Sequence, residues 1–382
     1  WWCAHLTKHN IQPWDACPEA GSTRSRSRFR RLGALVLLAA GAAGLAMLYL
    51  KGGMFSAPWT TRDQRSLMRE VPFTDRPAFQ EQPQVAAQER EQRQVASSLV
   101  EDPVTGTAVA DFAGSTTNVQ GGVRASRRSR CVQCPVVTVW MLGGSAAFGL
   151  GQRDEQTIAS QLVKLAERDG LNLEITNLSA PGWTSWQEAA AFSRHLGQFG
   201  APDVVLVYDG FNDVLGTLIG TATGARDDEL GRPVIATEEV AALTRNWRPL
   251  SAAGEPSAVG SRIAERHLTS KAAIQAAAAR VGAQVVFVVQ PDALAGPVQR
   301  DEAAKVAERP VVSDFGYIDA VLEVAARSSE RAGALNLRHS LDDEQRAVFA
   351  DLVHNNERGA ALVATKIYAR LRPTVVGQSG RP

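Results

Sequence analysis

The sequence has few cysteines and almost no net charge, and each shortage argues against a class of function. Only four cysteines occur among 382 residues, at Cys3, Cys17, Cys131 and Cys134. A structural zinc site needs four ligands, and neither a second Cys pair nor a nearby His pair accompanies the one at 131 and 134. The formal net charge of +1 gives no electrostatic reason to expect a nucleic-acid partner. We therefore expect neither a zinc domain nor a nucleic-acid-binding protein.

The close spacing of Cys131 and Cys134 leaves two interpretations open. A thioredoxin-like redox motif normally follows a strand and opens a helix, whereas this pair precedes a predicted strand. A short-loop disulfide formed outside the reducing cytoplasm is the favoured interpretation, and a pair of free thiols is the alternative.

Charge is also absent from one long apolar stretch, LGALVLLAAGAAGLAMLYL, at residues 32–50. A helix of this length covers about 28 Å, close to the thickness of the hydrocarbon core of a bilayer. A cleaved signal peptide is the alternative, but the stretch ends without a clean Ala-x-Ala cleavage site. Arginines cluster just before it and only Lys51 follows it closely, which predicts a cytoplasmic N-terminus. We expect a cytoplasmic basic tail at 1–31, a single-pass cell-membrane helix at 32–50, and an extracytoplasmic remainder.

Residues 51–130 are rich in Gln, Glu, Arg and Pro and contain few large apolar side chains. Such a composition buries little apolar surface, so it predicts a polar stalk or linker with at most one solvated helix. From residue 131 the pattern changes to alternating strand-like and helix-like segments. We therefore place the main globular domain at 131–373 and a short C-terminal tail at 374–382.

Four segments of this domain predict strands, at 136–142, 171–179, 203–210 and 283–290. Apolar residues at helical spacing separate them, and the first helix is expected to stop at Gly170. Strands separated by such helices indicate βαβ units and a mostly parallel sheet covered on both faces. The weaker pattern from 214 to 255 predicts either a binding loop or a plain surface loop.

Residues that carry chemistry follow three of these strands or precede the last helix. Ser145, Gly182 and Asn212 follow the first, second and third strands, respectively. Asp351 and His354 lie in DLVHNNERG, just before the final helix. Because ligands of open α/β sheets bind at the carboxyl ends of the strands, we expect these stretches to converge at one edge of the sheet.

These residue types supply what acyl transfer requires. A serine hydroxyl becomes a nucleophile when a base takes its proton, and His354 is suited to that because imidazole titrates near neutral pH. Asp351 would orient the ring and balance its charge. The backbone N–H groups of Ser145 and Gly182 and the side-chain amide of Asn212 are candidates for stabilising an oxyanion.

The glycine-rich stretch GGSAAFGLG fits no alternative motif. A P-loop would need a lysine where Leu150 stands, and a Rossmann fingerprint would need a small residue where Asp154 stands. The nucleophile elbow of α/β-hydrolases would need glycine where Ala147 stands. Outside the four stretches, the histidines at 195, 267 and 339 match no motif and are expected to be ordinary core or surface residues. Asp213 is expected to be structural.

Together the four stretches resemble the four sequence blocks of the SGNH, or GDSL, hydrolases. Ser145 in GGSAAFG matches the nucleophile block, although Gly144 stands where the commonest form has aspartate. Gly182 matches the glycine of the second block, and Asn212 in DGFND matches the Gly-x-Asn-Asp of the third. The closing Asp-x-x-His block is matched by DLVH at residues 351–354.

The resemblance covers roughly residues 136–373 and implies a flavodoxin-like three-layer α/β/α sandwich with a mostly parallel sheet. It implies that Ser145 is the nucleophile and an oxyanion donor, with Gly182 and Asn212 as the other donors. It further implies that His354 is the base, oriented by Asp351. Neither a metal nor an organic cofactor is implied.

The sequence thus predicts a membrane-anchored serine esterase that acts on acyl esters, acetyl esters included, of lipid or cell-envelope carbohydrate. An O-acetyltransferase or deacetylase for envelope polysaccharide would use the same residues, so it remains an alternative. A catalytically silent envelope scaffold is a third hypothesis, which a missing member of the Ser-His-Asp set would favour.

Overall fold

The computed structural model describes residues 72–223, 249–307 and 309–379. The predicted cytoplasmic tail at 1–31 and the predicted membrane helix at 32–50 lie outside these residues. Within the described ranges, no helix is both long enough and apolar enough to cross a membrane.

The described strands form one large sheet and one separate hairpin. The hairpin consists of β1 (Leu99–Asp102) and β2 (Gly106–Val109). The sheet contains eight strands, which in chain order are β3 (Phe112–Ala113), β4 (Asn118–Gln120), β5 (Val123–Arg124), β6 (Val136–Gly143), β7 (Asn172–Asn177), β8 (Val204–Asp209), β9 (Gln284–Val289) and β10 (Leu335–Asn336).

Their spatial order is β10-β9-β8-β6-β7-β5-β4-β3. The strands from β10 to β7 are parallel, whereas β5, β4 and β3 continue the sheet beyond β7 in antiparallel pairs. The chain runs from β6 to β7 on one side and then returns to β8 on the other side of β6. This is the flavodoxin-like order, in which ligands bind at the strand where the direction of winding reverses. The prediction of an α/β fold with a mostly parallel sheet is confirmed.

Helices connect the parallel strands. In chain order the α-helices of the described residues are α1 (Val85–Ser97), α2 (Ser145–Phe148), α3 (Ile158–Arg168), α4 (Ser185–Phe199), α5 (Phe211–Thr223), α6 (Pro256–Arg280), α7 (Pro297–Val306), α8 (Arg309–Ser313), α9 (Phe315–Arg331) and α10 (Glu357–Ser379).

The two faces of β6 show why the domain has three layers. Val139 and Met141 point to one face and belong to the same buried cluster as residues of α3 and α10. Trp140 and Leu142 point to the other face and pack with residues of α4 and α6. Since successive side chains of a strand point in opposite directions, an all-apolar strand must be covered by helices on both sides.

Local signals fix the ends of the helices near the site. The Thr157 side chain accepts a hydrogen bond from Ser160 N–H and caps α3. Gly170, with φ +71°, follows the end of the same helix, as the sequence predicts. Thr184 and Gln187 form a capping box at the start of α4.

The prediction of a polar stalk is wrong for residues 72–130. This segment forms α1, the β1–β2 hairpin and the three antiparallel strands at the edge of the sheet. Its few apolar residues, such as Val95 and Val119, are buried in one cluster with residues of the main domain. Its polar residues are also buried: Gln88 and Arg124 are at most 1% exposed and form hydrogen bonds inside the protein. The prediction was wrong because it assumed that polar side chains stay in solvent. Here hydrogen bonds to residues distant in sequence compensate for the cost of burying them.

Two further boundaries differ from the prediction. Helix α10 continues to Ser379, and its Val375 is fully buried, so residues 374–379 are not a tail. Of the weakly patterned stretch at 214–255, the first residues continue α5 as far as Thr223. Residues 224–248 lie outside the described ranges.

Cys131 and Cys134 are joined by a disulfide, as the favoured interpretation expects.

Candidate active site

Ser145, His354 and Asp351 form a continuous chain of hydrogen bonds at the carboxyl end of β6. Ser145 Oγ lies 2.7 Å from His354 Nε2. On the other side of the ring, His354 Nδ1 lies 2.7 Å from Asp351 Oδ2. An ionised carboxylate only accepts hydrogen bonds, so Nδ1 carries the ring proton and Nε2 accepts from the serine hydroxyl. The structure therefore brings together the three residues that the sequence proposes as a triad.

Asp351 is held in its ionised form by its surroundings. Burial alone would raise the pKa of Asp351, but the adjacent His354 ring and hydrogen bonds to the carboxylate hold it well below its usual range. Besides the imidazole, Oδ1 accepts hydrogen bonds from the backbone N–H groups of Val353 and His354, both at 2.9 Å. These bonds orient the carboxylate before any substrate arrives.

Two glycines before Ser145 allow the strand to pass closely under the site. A Cβ on Gly143 would lie 2.3 Å from the carbonyl oxygen of Tyr208 in the neighbouring strand β8. A Cβ on Gly144 would lie 2.4 Å from Asn212 Nδ2 and 3.1 Å from the carbonyl oxygen of Trp183. The aspartate of the commonest GDSL block would not fit at position 144 unless Asn212 moved. Here the amide of Asn212 occupies that space.

The three proposed oxyanion donors come from the ends of three different strands. Ser145 is the first residue of α2, where a helix leaves its backbone N–H groups without intrahelical acceptors. Gly182 has φ +84° in the turn between Ala180 and Trp183, a conformation that favours glycine. Asn212 Nδ2 donates a 2.7 Å hydrogen bond to Trp183 O, the carbonyl next to Gly182. The Gly182 turn and Asn212 are thus tied together beside Gly144.

Sequence reasoning missed a buried charged cluster beneath Asn212. It contains Glu188 of α4, Asp209 at the end of β8, Asp213 of α5, and His267 and Lys271 of α6. Asp209 Oδ2 lies 2.7 Å from His267 Nε2, and Asp209 Oδ1 lies 3.8 Å from Lys271 Nζ. His267 is 3% exposed. It is therefore a core residue, which the sequence allowed, but its pairing with Asp209 was not expected.

The charged groups of the cluster shift one another's pKa values. Burial and the nearby Asp209 and Asp213 raise the pKa of Glu188 well above its ordinary value, which favours the protonated carboxyl. Burial would raise the pKa of Asp209 too, but His267 and Lys271 outweigh that effect and lower it. Ligand atoms of Asp209, Asp213 and His267 lie within 4.8 Å of one another. Lys271 Nζ lies 3.8 Å from Asp209 Oδ1, beside this group.

Asp213, expected to be structural, links this cluster to the Gly182 turn. Its carboxylate accepts hydrogen bonds from Ser185 Oγ at 2.6 Å and from Ser185 N–H at 3.1 Å. Ser185 begins α4, two residues after Trp183. Consecutive residues, Asn212 and Asp213, therefore fix the loop that carries Gly182 at two points.

No protein-family model matches the chain, and no curated protein matches it. Solved structures that match part of this chain include TesA, which is 18% identical, with 62% of this chain and 99% of TesA covered and a TM-score of 0.37. A lipolytic G-D-S-L family protein from Veillonella parvula is 14% identical, with 61% and 97% covered and a TM-score of 0.37. The acetyl xylan esterase AlAXEase is 14% identical, with 62% and 100% covered and a TM-score of 0.38. Similarity at this level does not transfer an activity to this chain.

Proposed function

We propose that this chain is a serine ester hydrolase of the SGNH type. The observation that carries the proposal is the Ser145–His354–Asp351 chain, with both hydrogen bonds at 2.7 Å. The alternative of a silent scaffold predicts a missing member of the set, whereas all three residues are present and His354 contacts both of the others.

In the proposed mechanism, Ser145 Oγ attacks the ester carbonyl carbon while His354 Nε2 takes the hydroxyl proton. The imidazolium that forms is stabilised by Asp351, whose carboxylate is already ionised. Collapse of the tetrahedral intermediate breaks the bond to the alcohol oxygen, and His354 returns the proton to the leaving alcohol. Water then attacks the acyl-serine by the same route, which releases the acid and restores the serine.

The negative charge on the carbonyl oxygen would be stabilised by the N–H groups of Ser145 and Gly182 and the amide of Asn212. Preorganised donors of this kind each contribute about 10²- to 10³-fold to kcat in acyl transfer. The hydrogen bond from Asn212 to Trp183 O and the positive φ of Gly182 support this assignment because both fix the donors in advance.

Acyl esters of lipid or cell-envelope carbohydrate, acetyl esters included, are the proposed substrates. The same acyl-enzyme could pass its acyl group to a sugar hydroxyl instead of water. Incubating the protein with an acyl donor, with and without a glycan acceptor, separates the two: acylated sugar identifies a transferase, and free acid identifies a hydrolase.

The membrane anchor remains a proposal from the sequence at residues 24–51. Its test is fractionation of cells that produce the whole chain, followed by protease treatment of intact cells or spheroplasts. An anchored extracytoplasmic domain should stay in the membrane pellet and be cleaved from outside. Recovery in the supernatant, protected from protease, would contradict it.

The activity is tested by labelling the whole chain with a fluorophosphonate, which reacts with activated serines. We expect the unmodified protein to be labelled, and Ser145→Ala and His354→Ala to remain unlabelled while folded. Ser193→Ala, at an exposed serine on α4, is the matched control and should be labelled normally. A folded, unlabelled wild-type protein would overturn the proposal.

A further inference from the structure

The segment that precedes the predicted domain contacts the loop that carries Asp351 and His354. We call residues 73–82 the brace segment and residues 347–356 the Asp-His loop. Arg76 Nη1 donates a 2.8 Å hydrogen bond to Ala350 O, the carbonyl just before Asp351. At the far end of the loop, Asn356 Nδ2 donates to Ala78 O. Two positions of the loop, Ala350 and Asn356, are therefore bonded to the brace segment.

Gln82 extends the same contact to the first turn of α10 and to the loop after Ser145. Its Oε1 accepts from Glu357 N–H at 2.9 Å, and its Nε2 donates to Gly151 O at 2.8 Å. One side chain of the brace segment thus joins the end of the Asp-His loop to the segment that follows the nucleophile helix α2.

Arg76 is built into the protein rather than lying on its surface. It is 9% exposed, and its guanidinium lies 4.9 Å from the ring centroid of Phe73. The Phe73 ring is stacked on Phe79 at 4.5 Å, and Phe79 is buried in one cluster with Ala350. The charged groups that act on the guanidinium are Asp351, Glu89 and Arg93. The buried guanidinium of Arg76 thus interacts with Asp351 from the brace segment.

The hydrogen bonds within the Asp-His loop fix its conformation but not its position relative to Ser145. Ala350 N–H donates to His354 O at 2.7 Å, and Asp351 Oδ1 accepts from the two backbone N–H groups that follow it. These bonds join loop residues only to one another. The position of the loop relative to Ser145 must come from contacts outside it, and Arg76 supplies the one at Ala350.

We propose that Arg76 is a positioning residue, which holds Asp351 and His354 at hydrogen-bonding distance from Ser145 through its bond to Ala350 O. The proposal rests on the proposed function for its catalytic consequence. A displacement of about 1 Å at a reacting group costs up to about 10²-fold in rate, because near-attack geometry is lost. Loss of Arg76 should therefore lower kcat and leave substrate binding almost unchanged.

The test compares Arg76→Met, Arg76→Lys and Arg93→Met in the whole chain. Met keeps the length and apolar contacts of the side chain without a donor or charge, whereas Lys keeps a charged donor. Arg93 pairs with the same Glu89 but is exposed, so Arg93→Met is the matched control. With 4-nitrophenyl acetate we expect kcat to fall about 10- to 100-fold in Arg76→Met, with KM within twofold. Arg76→Lys should recover part of kcat, and Arg93→Met should match the wild type.

A second readout does not depend on turnover. The nitrogen-15 NMR signal of His354 Nε2, the atom that accepts the hydrogen bond from Ser145 Oγ, reports the position of the loop relative to Ser145. We expect this signal to shift in Arg76→Met and to stay unchanged in Arg93→Met. If Arg76→Met lacks a cooperative thermal transition, Arg76→Gln replaces it under the same criteria.

The outcomes separate the two proposals. A kcat within twofold of wild type in folded Arg76→Met, or an effect confined to KM, would overturn the positioning role. An unchanged His354 Nε2 signal in that variant would do the same. If the wild-type chain neither hydrolyses esters nor reacts with a fluorophosphonate, the proposed function fails. The NMR signal then still decides whether Arg76 positions His354.

Discussion

Asn212 and Trp183 are joined by a 2.7 Å hydrogen bond from the Asn212 amide to the Trp183 carbonyl oxygen. This bond connects the residue after β8 to the turn after β7, across the end of β6 that carries Ser145. The space above Gly144 is what permits it, since a Cβ at that position would lie 2.4 Å from Asn212 Nδ2. The Asn212 amide can therefore take this position because residue 144 has no side chain.

Gly144→Ala should consequently impair catalysis more than folding. The new methyl group must displace the Asn212 amide, which weakens its hydrogen bond to Trp183 and moves it away from the oxyanion position. We expect kcat to fall about 10- to 100-fold, a substantial part of the effect of removing one oxyanion donor. Steady-state kinetics on 4-nitrophenyl acetate measure this.

The matched control for that substitution is Gly197→Ala. Gly197 lies within α4, and a Cβ there would meet no atom within 4 Å. Alanine should leave kcat unchanged and, because it favours helix, should not lower the thermal midpoint. Equal kcat in Gly144→Ala and Gly197→Ala would show that Asn212 does not act from this position.

Asp351→Asn tests the direction of the hydrogen bonds in the triad. The amide of asparagine can donate to His354 Nδ1, which would place the ring proton on Nε2 and prevent it from accepting the Ser145 proton. We expect kcat to fall about 10⁴-fold with the fold intact, as the loss of the correct tautomer does in serine proteases. The measurement is kcat together with circular dichroism, and a loss of less than tenfold would contradict the proposed role of Asp351.

The parallel half of the fold and the proximity of Ser145, His354 and Asp351 were predictable because their signals are local. Strands such as β6 and β8 are continuous apolar runs, and the residues proposed for catalysis lie directly at their ends or before α10. A mostly parallel sheet then brings those ends to one edge. The sequence could therefore identify Ser145 and His354, which are 209 positions apart, as neighbours.

The brace segment and the edge strands β3, β4 and β5 could not be predicted in this way. Strands of two to four residues, such as β3 and β5, are too short to show a period. Their burial depends on partners far away in sequence: Arg124, for example, forms a 2.8 Å ion pair with Asp154. For the buried cluster a signal did exist. His267 and Lys271 are one helical turn apart on a face of α6 that also carries Ile263 and Ile274, all buried.

The protonation of that cluster can be tested by isosteric substitution. The raised pKa of Glu188 favours its neutral form. If the carboxyl is neutral, Glu188→Gln replaces one neutral group by another and should change the free energy of unfolding by less than about 1 kcal/mol. Asp209→Asn removes the ionised partner of His267 and Lys271 and should cost about 3 kcal/mol or more. Urea denaturation at pH 7 compares the two. Equal losses would indicate that Glu188 is ionised.

A pH-dependent contribution to stability should come from Glu91 of α1. Its carboxylate accepts five hydrogen bonds from the turn at residues 115–117, including those from Ser115 Oγ and Thr116 Oγ1, both at 2.6 Å. Partial burial would raise the pKa of Glu91, but the hydrogen bonds from Ser115 and Thr116 outweigh it and lower the pKa to about 2.

Because the folded-state pKa of Glu91 lies below its ordinary value of 4.5, the ionised form stabilises the folded protein. This contribution is complete above about pH 5 and decreases as the pH falls toward about 2, where the folded-state carboxylate takes up its proton. Glu91→Gln should therefore be less stable than the wild type at pH 7, and the difference should shrink steadily on acidification. Urea unfolding of both proteins between pH 2 and pH 7 measures this difference directly, since all other carboxylates titrate in both. A difference that stays constant over this range would mean that the amide loses the same hydrogen bonds at every pH and that the charge of Glu91 contributes nothing.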